Sequence, residues 1–186
     1  MKYLLALLVM FTTFVLALAA SPAWSNSDAL AASQSTLSEI KAVQFHDGNV
    51  ITAGLPTAEQ ISALSEAGVD LVINLIPKNN PHAIGNEQQL VQDAGMAYIN
   101  IEVDWQQPKS SDVEQFFAAM EQNKTKSVFV HCAANYRASA FYYLYLDKLT
   151  PRQVNQAQIM APWGDLQQSL KQYPQWQQLI EKMQRH

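Results

Sequence analysis

Residues 127–137 read Ser-Val-Phe-Val-His-Cys-Ala-Ala-Asn-Tyr-Arg, and this stretch decides the fold. Ser127 to His131 is a short apolar run whose length and valines suit a strand buried on both faces. Cys132 to Tyr136 is a short connection of mostly small residues. Arg137 to Leu149 carries Phe141, Tyr142, Tyr143 and Tyr145, an aromatic stripe that reads as the packing face of a helix. A buried strand that turns at once into a helix is half of a parallel β-α-β unit.

Working outward, Val69 to Ile76 (VDLVINLI) and Met96 to Val103 (MAYINIEV) are two further strands. Thr57 is a helix N-cap, Gln60 completes a capping box, and the helix runs to Ala67 with Gly68 as its stop. Asn86 to Ala94 forms a second helix ended by Gly95. Ser111, with Glu114 three residues on, caps a third that runs through Gln122. Ala42 to Ala53 is a hairpin turning at Asp47-Gly48-Asn49. Thr150-Pro151 is expected to open another helix. One or two more should finish the chain, with Trp163, Leu166, Leu170, Trp176, Leu179 and Ile180 at helical spacing. Strands alternating with helices predict an α/β fold with a mostly parallel central sheet flanked by helices. Ligands in such folds bind beyond the carboxyl ends of the strands, where Cys132 falls.

The chain has 186 residues, 48% hydrophobic and 15% charged, enough for one domain with a full core. A net charge of −4 argues against nucleic acid as a partner. Lys2, the uncharged apolar stretch Leu4 to Ala20 and the small residues of Ser21-Pro22-Ala23 read as a secretory signal peptide over residues 1–23. Residues 24–41 are then a linker or short helix and 42–186 the domain. The mature protein is expected in the periplasm or outside the cell, with no stable membrane insertion after cleavage. Its single cysteine excludes an intramolecular disulfide, so Cys132 is either an inert core thiol or a reactive one.

The neighbours of Cys132 favour reactivity. A helix N-terminus presents unpaired N–H groups and about half a positive charge. A short loop over that end aims several amides at one point, a seat for an anion or a thiolate. The field favours the ionised sulfur. Arg137 closes the loop and can grip two oxygens of an oxyanion. Ala133 and Ala134 leave room above the loop, Asn135 suits the left-handed backbone of a tight turn, and Tyr136 completes the set. His131 is expected to pack beneath the loop, bonding backbone, with a secondary role in favouring the thiolate. Phosphoryl transfer to sulfur also needs a proton donor. Asp104 is the candidate, at the end of the preceding strand on a loop with Trp105 and Pro108; Glu102 and Asp112 are fallback acids. No metal or other cofactor is required. His46 and His82 lack ligand spacing and are expected to be exposed. Trp105, Trp163 and Trp176 are expected as core or lid residues.

The segment HCAANYR, with VDW-x-x-P upstream of it, resembles the cysteine-dependent protein phosphatases. The stretch FHDGNVITAGLPTAEQISALSEAGVDLVINL resembles more specifically the bacterial phosphatase-like domain of the kind fused to β-lactamase-like hydrolases. The resemblance covers roughly Val43 to Leu146. It implies a phosphotyrosine protein phosphatase II-like fold of the tyrosine or dual-specificity type. It also implies Cys132 as nucleophile, Arg137 as phosphate clamp and Asp104 as general acid. The implied substrate is a phosphorylated protein or small molecule, hydrolysed slowly through a cysteinyl-phosphate. Three positions differ from the wider superfamily. Four residues, not five, separate Cys132 from Arg137; Ala138 stands where Ser or Thr is common; Ile76 precedes Pro77 where relatives often have Arg. Two other readings stay open on the residues. A rhodanese-like sulfurtransferase would carry a persulfide on Cys132 in such a short loop, and a binding module would hold an anion or phospho-ligand without turnover.

Overall fold

The computed structural model describes residues 35–46, 49–81 and 83–185. The leader read over 1–23, the Asp47-Gly48 turn and His82 lie outside the described residues. The apolar runs pair into one sheet of β1 (Gln44–His46), β2 (Val50–Ala53), β3 (Leu71–Asn74), β4 (Ala97–Asn100) and β5 (Val128–His131), in the order β1-β2-β5-β3-β4. β1 and β2 are antiparallel, the expected hairpin, while β2, β5, β3 and β4 pair in parallel. β5 is central, and every residue of β5 and β3 is buried, as for strands covered on both faces.

Alternation along the strands builds two cores. Val128, Val130, Leu71 and Ile73 face α3 (Ser110–Gln122), α4 (Tyr136–Leu149) and α7 (Pro174–Met183). Phe129 and Val72 face α1 (Ala58–Glu66) and α2 (Glu87–Asp93). A short α5 (Gln156–Ile159), a 3-10 turn (Ala161–Trp163) and α6 (Leu166–Gln172) lead into α7. Phe141, Tyr142, Tyr143 and Tyr145 of α4 are all buried, so its aromatic stripe is core packing. The capping box at Thr57 forms as read, with Gln60 N on Thr57 Oγ1 at 3.2 Å and Thr57 N on Gln60 Oε1 at 2.9 Å. Gly68 and Gly95 end their helices at φ 84° and 85°.

Four expectations need correction. No helix opens at Thr150-Pro151: Arg152 sits at φ 61°, and its N–H donates to Asp147 Oδ1 at 3.0 Å, which folds the segment into a turn. α3 begins at Ser110 rather than behind a Ser111 cap, because Asp112 reaches back and accepts from Lys109 N at 3.0 Å. The strand VDLVINLI is short because Asn74 Oδ1 takes the Ile76 N–H (2.7 Å) and turns the chain. His46 is not exposed: its ring lies 4.6 Å from that of Tyr142, and Nε2 meets Thr52 Oγ1 at 2.9 Å.

Candidate active site

The two strands flanking β5 hold the chain where it leaves the sheet. Leu75 N donates to His131 O at 2.9 Å, and Cys132 N donates to Ala53 O at 3.2 Å. The loop then turns within residues 133–135. Asn135 takes the left-handed conformation the sequence suggested, φ 61° and ψ 10°, as the N-cap of α4. Its side chain fixes that strained turn: Nδ2 donates to Ala42 O at 2.7 Å and lies 3.2 Å from Thr52 Oγ1. Gly54 backs the loop, bridging to Ala134. A Cβ there would meet Lys41 O at 2.9 Å and Ala133 O at 3.2 Å, so the β2 end approaches the loop this closely only as glycine. Ala133, Ala134 and Tyr136 are partly exposed along the loop's outer side.

Cys132 directly follows β5, and the three-residue turn 133–135 joins it to the N-terminus of the 14-residue α4. Arg137 lies in the first turn of α4. It is 7% exposed, its Nε has no hydrogen-bond partner, and no carboxylate pairs with it among the described residues. Its guanidinium carbon instead lies 5.4 Å from the centroid of the Trp105 ring. A buried cation without a counter-ion is costly, and an anion bound at the loop would remove that cost. Ser139 does not serve the sulfur. Its Oγ donates back to Asn135 O at 2.6 Å, so it braces the loop from inside the helix.

The open seat expected above Cys132 is covered. The sulfur-bearing residue is 1% exposed. Trp105 fills the space next to Arg137, 5.9 Å from Tyr136, 5.8 Å from Trp163, 5.0 Å from Tyr173 and 5.1 Å from Trp176 by ring centroids. Its carbonyl accepts from Trp176 Nε1 at 3.0 Å and Gln175 Nε2 at 3.2 Å. Trp163 and Trp176 are core residues, and Trp105, half-buried, lies over the Arg137 guanidinium. The carboxyl-terminal helices therefore hold the loop that follows β4, a role no local motif announces.

Asp104 precedes Trp105 on that loop and is exposed, its Oδ1 accepting from Gln106 N at 2.7 Å in a local turn. The fallback acids are engaged elsewhere: Glu102 accepts from Lys78 N at 3.0 Å and lies 3.9 Å from its ammonium, and Asp112 braces the start of α3. His131 differs from expectation. Its ring bonds no backbone; it stacks on Phe129 and its Nε2 lies 2.6 Å from Glu87 Oε1. Glu87 is 2% exposed and was not anticipated; an acid in the first turn of a helix reads as ordinary dipole chemistry.

No curated protein matches the chain. A structure from Shewanella putrefaciens CN-32, described as a candidate phosphatase of the DUF442 group, is 50% identical, with a TM-score of 0.74 over 80% of this chain and 92% of that one. Tk-PTP in its active form (12% identity, TM-score 0.57, covering 78% of this chain and 97% of that one) shares the fold. So does TpbA from P. aeruginosa in complex with phosphotyrosine (15%, 0.53, covering 76% and 94%). The family described as "DSP-PTPase phosphatase fused to NAD+ Kinase" matches residues 19–181. The chain belongs to this DSP-PTPase family and is a phosphatase of the cysteine-dependent, protein-tyrosine-phosphatase-like class.

Proposed function

We propose that the protein hydrolyses phosphomonoesters through a cysteinyl-phosphate, with Cys132 as nucleophile, Arg137 as phosphate clamp and Asp104 as general acid and base. The observation that carries this reading is Arg137, a buried guanidinium with no carboxylate partner among the described residues, in the first turn of the helix that follows Cys132. In the first step the Cys132 sulfur forms a bond to phosphorus as the bond to the ester oxygen breaks. Asp104 gives that oxygen its proton. The loop amides and the guanidinium carry the charge on the equatorial oxygens. In the second step water attacks phosphorus, Asp104 takes its proton, the S–P bond breaks, and orthophosphate leaves with the thiolate restored. Substrate entry requires Trp105 to leave the face of Arg137, and Asp104, the residue before it, moves with the same segment.

The fold relative bound to phosphotyrosine supports a phosphate-centred site, and the substrate class proposed for this chain is a phosphomonoester on a protein or a small molecule. The leader read at residues 1–23 supports action in the periplasm or beyond it. The test is turnover of an aryl phosphate across mildly acidic to neutral pH. Vanadate should inhibit it, and Cys132→Ser should lower it by at least about 10³-fold. Asp104→Asn should cost about 10²-fold on an alkyl phosphate and much less on an aryl phosphate whose leaving group needs no proton. Conversion of thiosulfate and cyanide to thiocyanate, with a persulfide on Cys132 and no phosphate release, would overturn the proposal.

A further inference from the structure

His131 and Cys132 are consecutive but serve opposite faces of the sheet. Cys132 lies in the core with α3 and α4, whereas His131 stacks on Phe129, whose side chain belongs to the core beneath α1 and α2. There it meets Glu87, the first residue of α2. Both side chains are sealed from water, at 0% and 2% exposure. The second Glu87 oxygen accepts from Asn74 Nδ2 at 2.5 Å and from the Tyr98 hydroxyl at 3.4 Å. Four elements thus converge on one carboxylate: α2 itself, then β3, β4 and β5.

At 2.6 Å an imidazole nitrogen and a carboxylate oxygen repel unless a proton lies between them. The oxygen stands off the axis of an ideal ring N–H bond, and the other ring nitrogen, Nδ1, is buried with no hydrogen-bond partner. Beside a neutral imidazole the buried carboxylate would have neutral donors only, from Asn74 and Tyr98, and no counter-ion. The remaining neighbours leave the pairing to these two groups. Asn74 is a neutral donor. Tyr98, its pKa raised to about 12 by burial and then by the Glu87 charge, stays a neutral donor as well. Lys78 lines a cavity of about 220 Å³ that Asn74, Glu87 and Tyr98 also border, but its ammonium lies against Glu102.

We propose that Glu87 is a positioning residue for Cys132: it holds His131 as an imidazolium, ties the carboxyl end of β5 to α2, and so keeps a positive charge one residue from the sulfur. The nucleophile then has two electrostatic supports, the helix N-terminus on one side of the sheet and the His131–Glu87 pair on the other. The proposal rests on the reading of Cys132 as the nucleophile, but its test does not need turnover.

Iodoacetamide alkylation of Cys132 is measured at about pH 6 and about pH 9 in the full chain, and the ratio of the two rates cancels any difference in access. Glu87→Gln keeps the shape and removes the charge. Its ratio should fall about tenfold, with Glu87→Asp restoring part of it and the aryl phosphatase kcat falling in step at nearly constant KM. Imidazole nitrogen NMR of the wild-type protein needs no substitution and should show both His131 nitrogens protonated at neutral pH. An unchanged alkylation ratio in a folded Glu87→Gln, or a neutral His131 in the wild-type spectrum, overturns the proposal. A wild-type protein that releases no phosphate yet shows the alkylation contrast sinks the phosphatase reading and leaves Glu87 in its place.

Discussion

Arg137 and His131 flank the same short loop, and both are buried, but they stand in opposite electrostatic situations. His131 has a carboxylate at 2.6 Å, which neighbouring strands hold in turn. Arg137 has an aromatic face and an Nε that donates to nothing. A buried charge with its counter-ion built in belongs to the structure of the folded chain. One without is a site, because the missing partner has to come from outside. The contrast separates the scaffold under Cys132 from the seat above it.

The largest effect that would break the contrast is on stability. Replacing Arg137 by Met should leave the free energy of unfolding unchanged or slightly higher, since an uncompensated buried charge is removed. Removing the Glu87 carboxylate with Ala should lower it by about 3 kcal/mol, because His131 is stranded. Denaturant unfolding of the two variants decides it. The ligand arm sharpens the point: inorganic phosphate at about 100 times its Kd should stabilise the wild-type protein by about 2.7 kcal/mol and the Arg137→Met variant not at all. Equal losses in both variants, or equal phosphate effects, would show that the two cations do the same job.

A smaller effect concerns the cover. A ring over a desolvated guanidinium contributes about 2 kcal/mol, and Trp105 is also clamped by Trp176 and Gln175. Trp105→Ala should speed iodoacetamide alkylation of Cys132 by about tenfold. No change in alkylation would mean that Cys132 is reached by another route.

What the sequence made legible follows the range of the interactions. The strand, loop and helix around Cys132 are coded by neighbours in the chain, so Asn135 in the left-handed region and Arg137 at the loop's end were readable. The capping box of Thr57 and Gln60 was readable for the same reason. Thr150-Pro151 misled because proline suits a turn as well as a helix start, and Asp147, capturing Arg152 N, chose the turn. His131 was read with a backbone partner because its true one, Glu87, arrives from another helix, and nothing local marks that acid as buried. Trp105 was read as core or lid but not as the group lying on Arg137, a contact that exists only once α7 has packed.

The account stands or falls on where phosphorus goes during turnover. Rapid acid quench of the wild-type protein during hydrolysis of an aryl phosphate, followed by peptide mass spectrometry, reads that directly. A phosphoryl group on the Cys132 sulfur, absent in Arg137→Met, is the predicted result. Phosphate release with Cys132 unmodified at every quench time would contradict it.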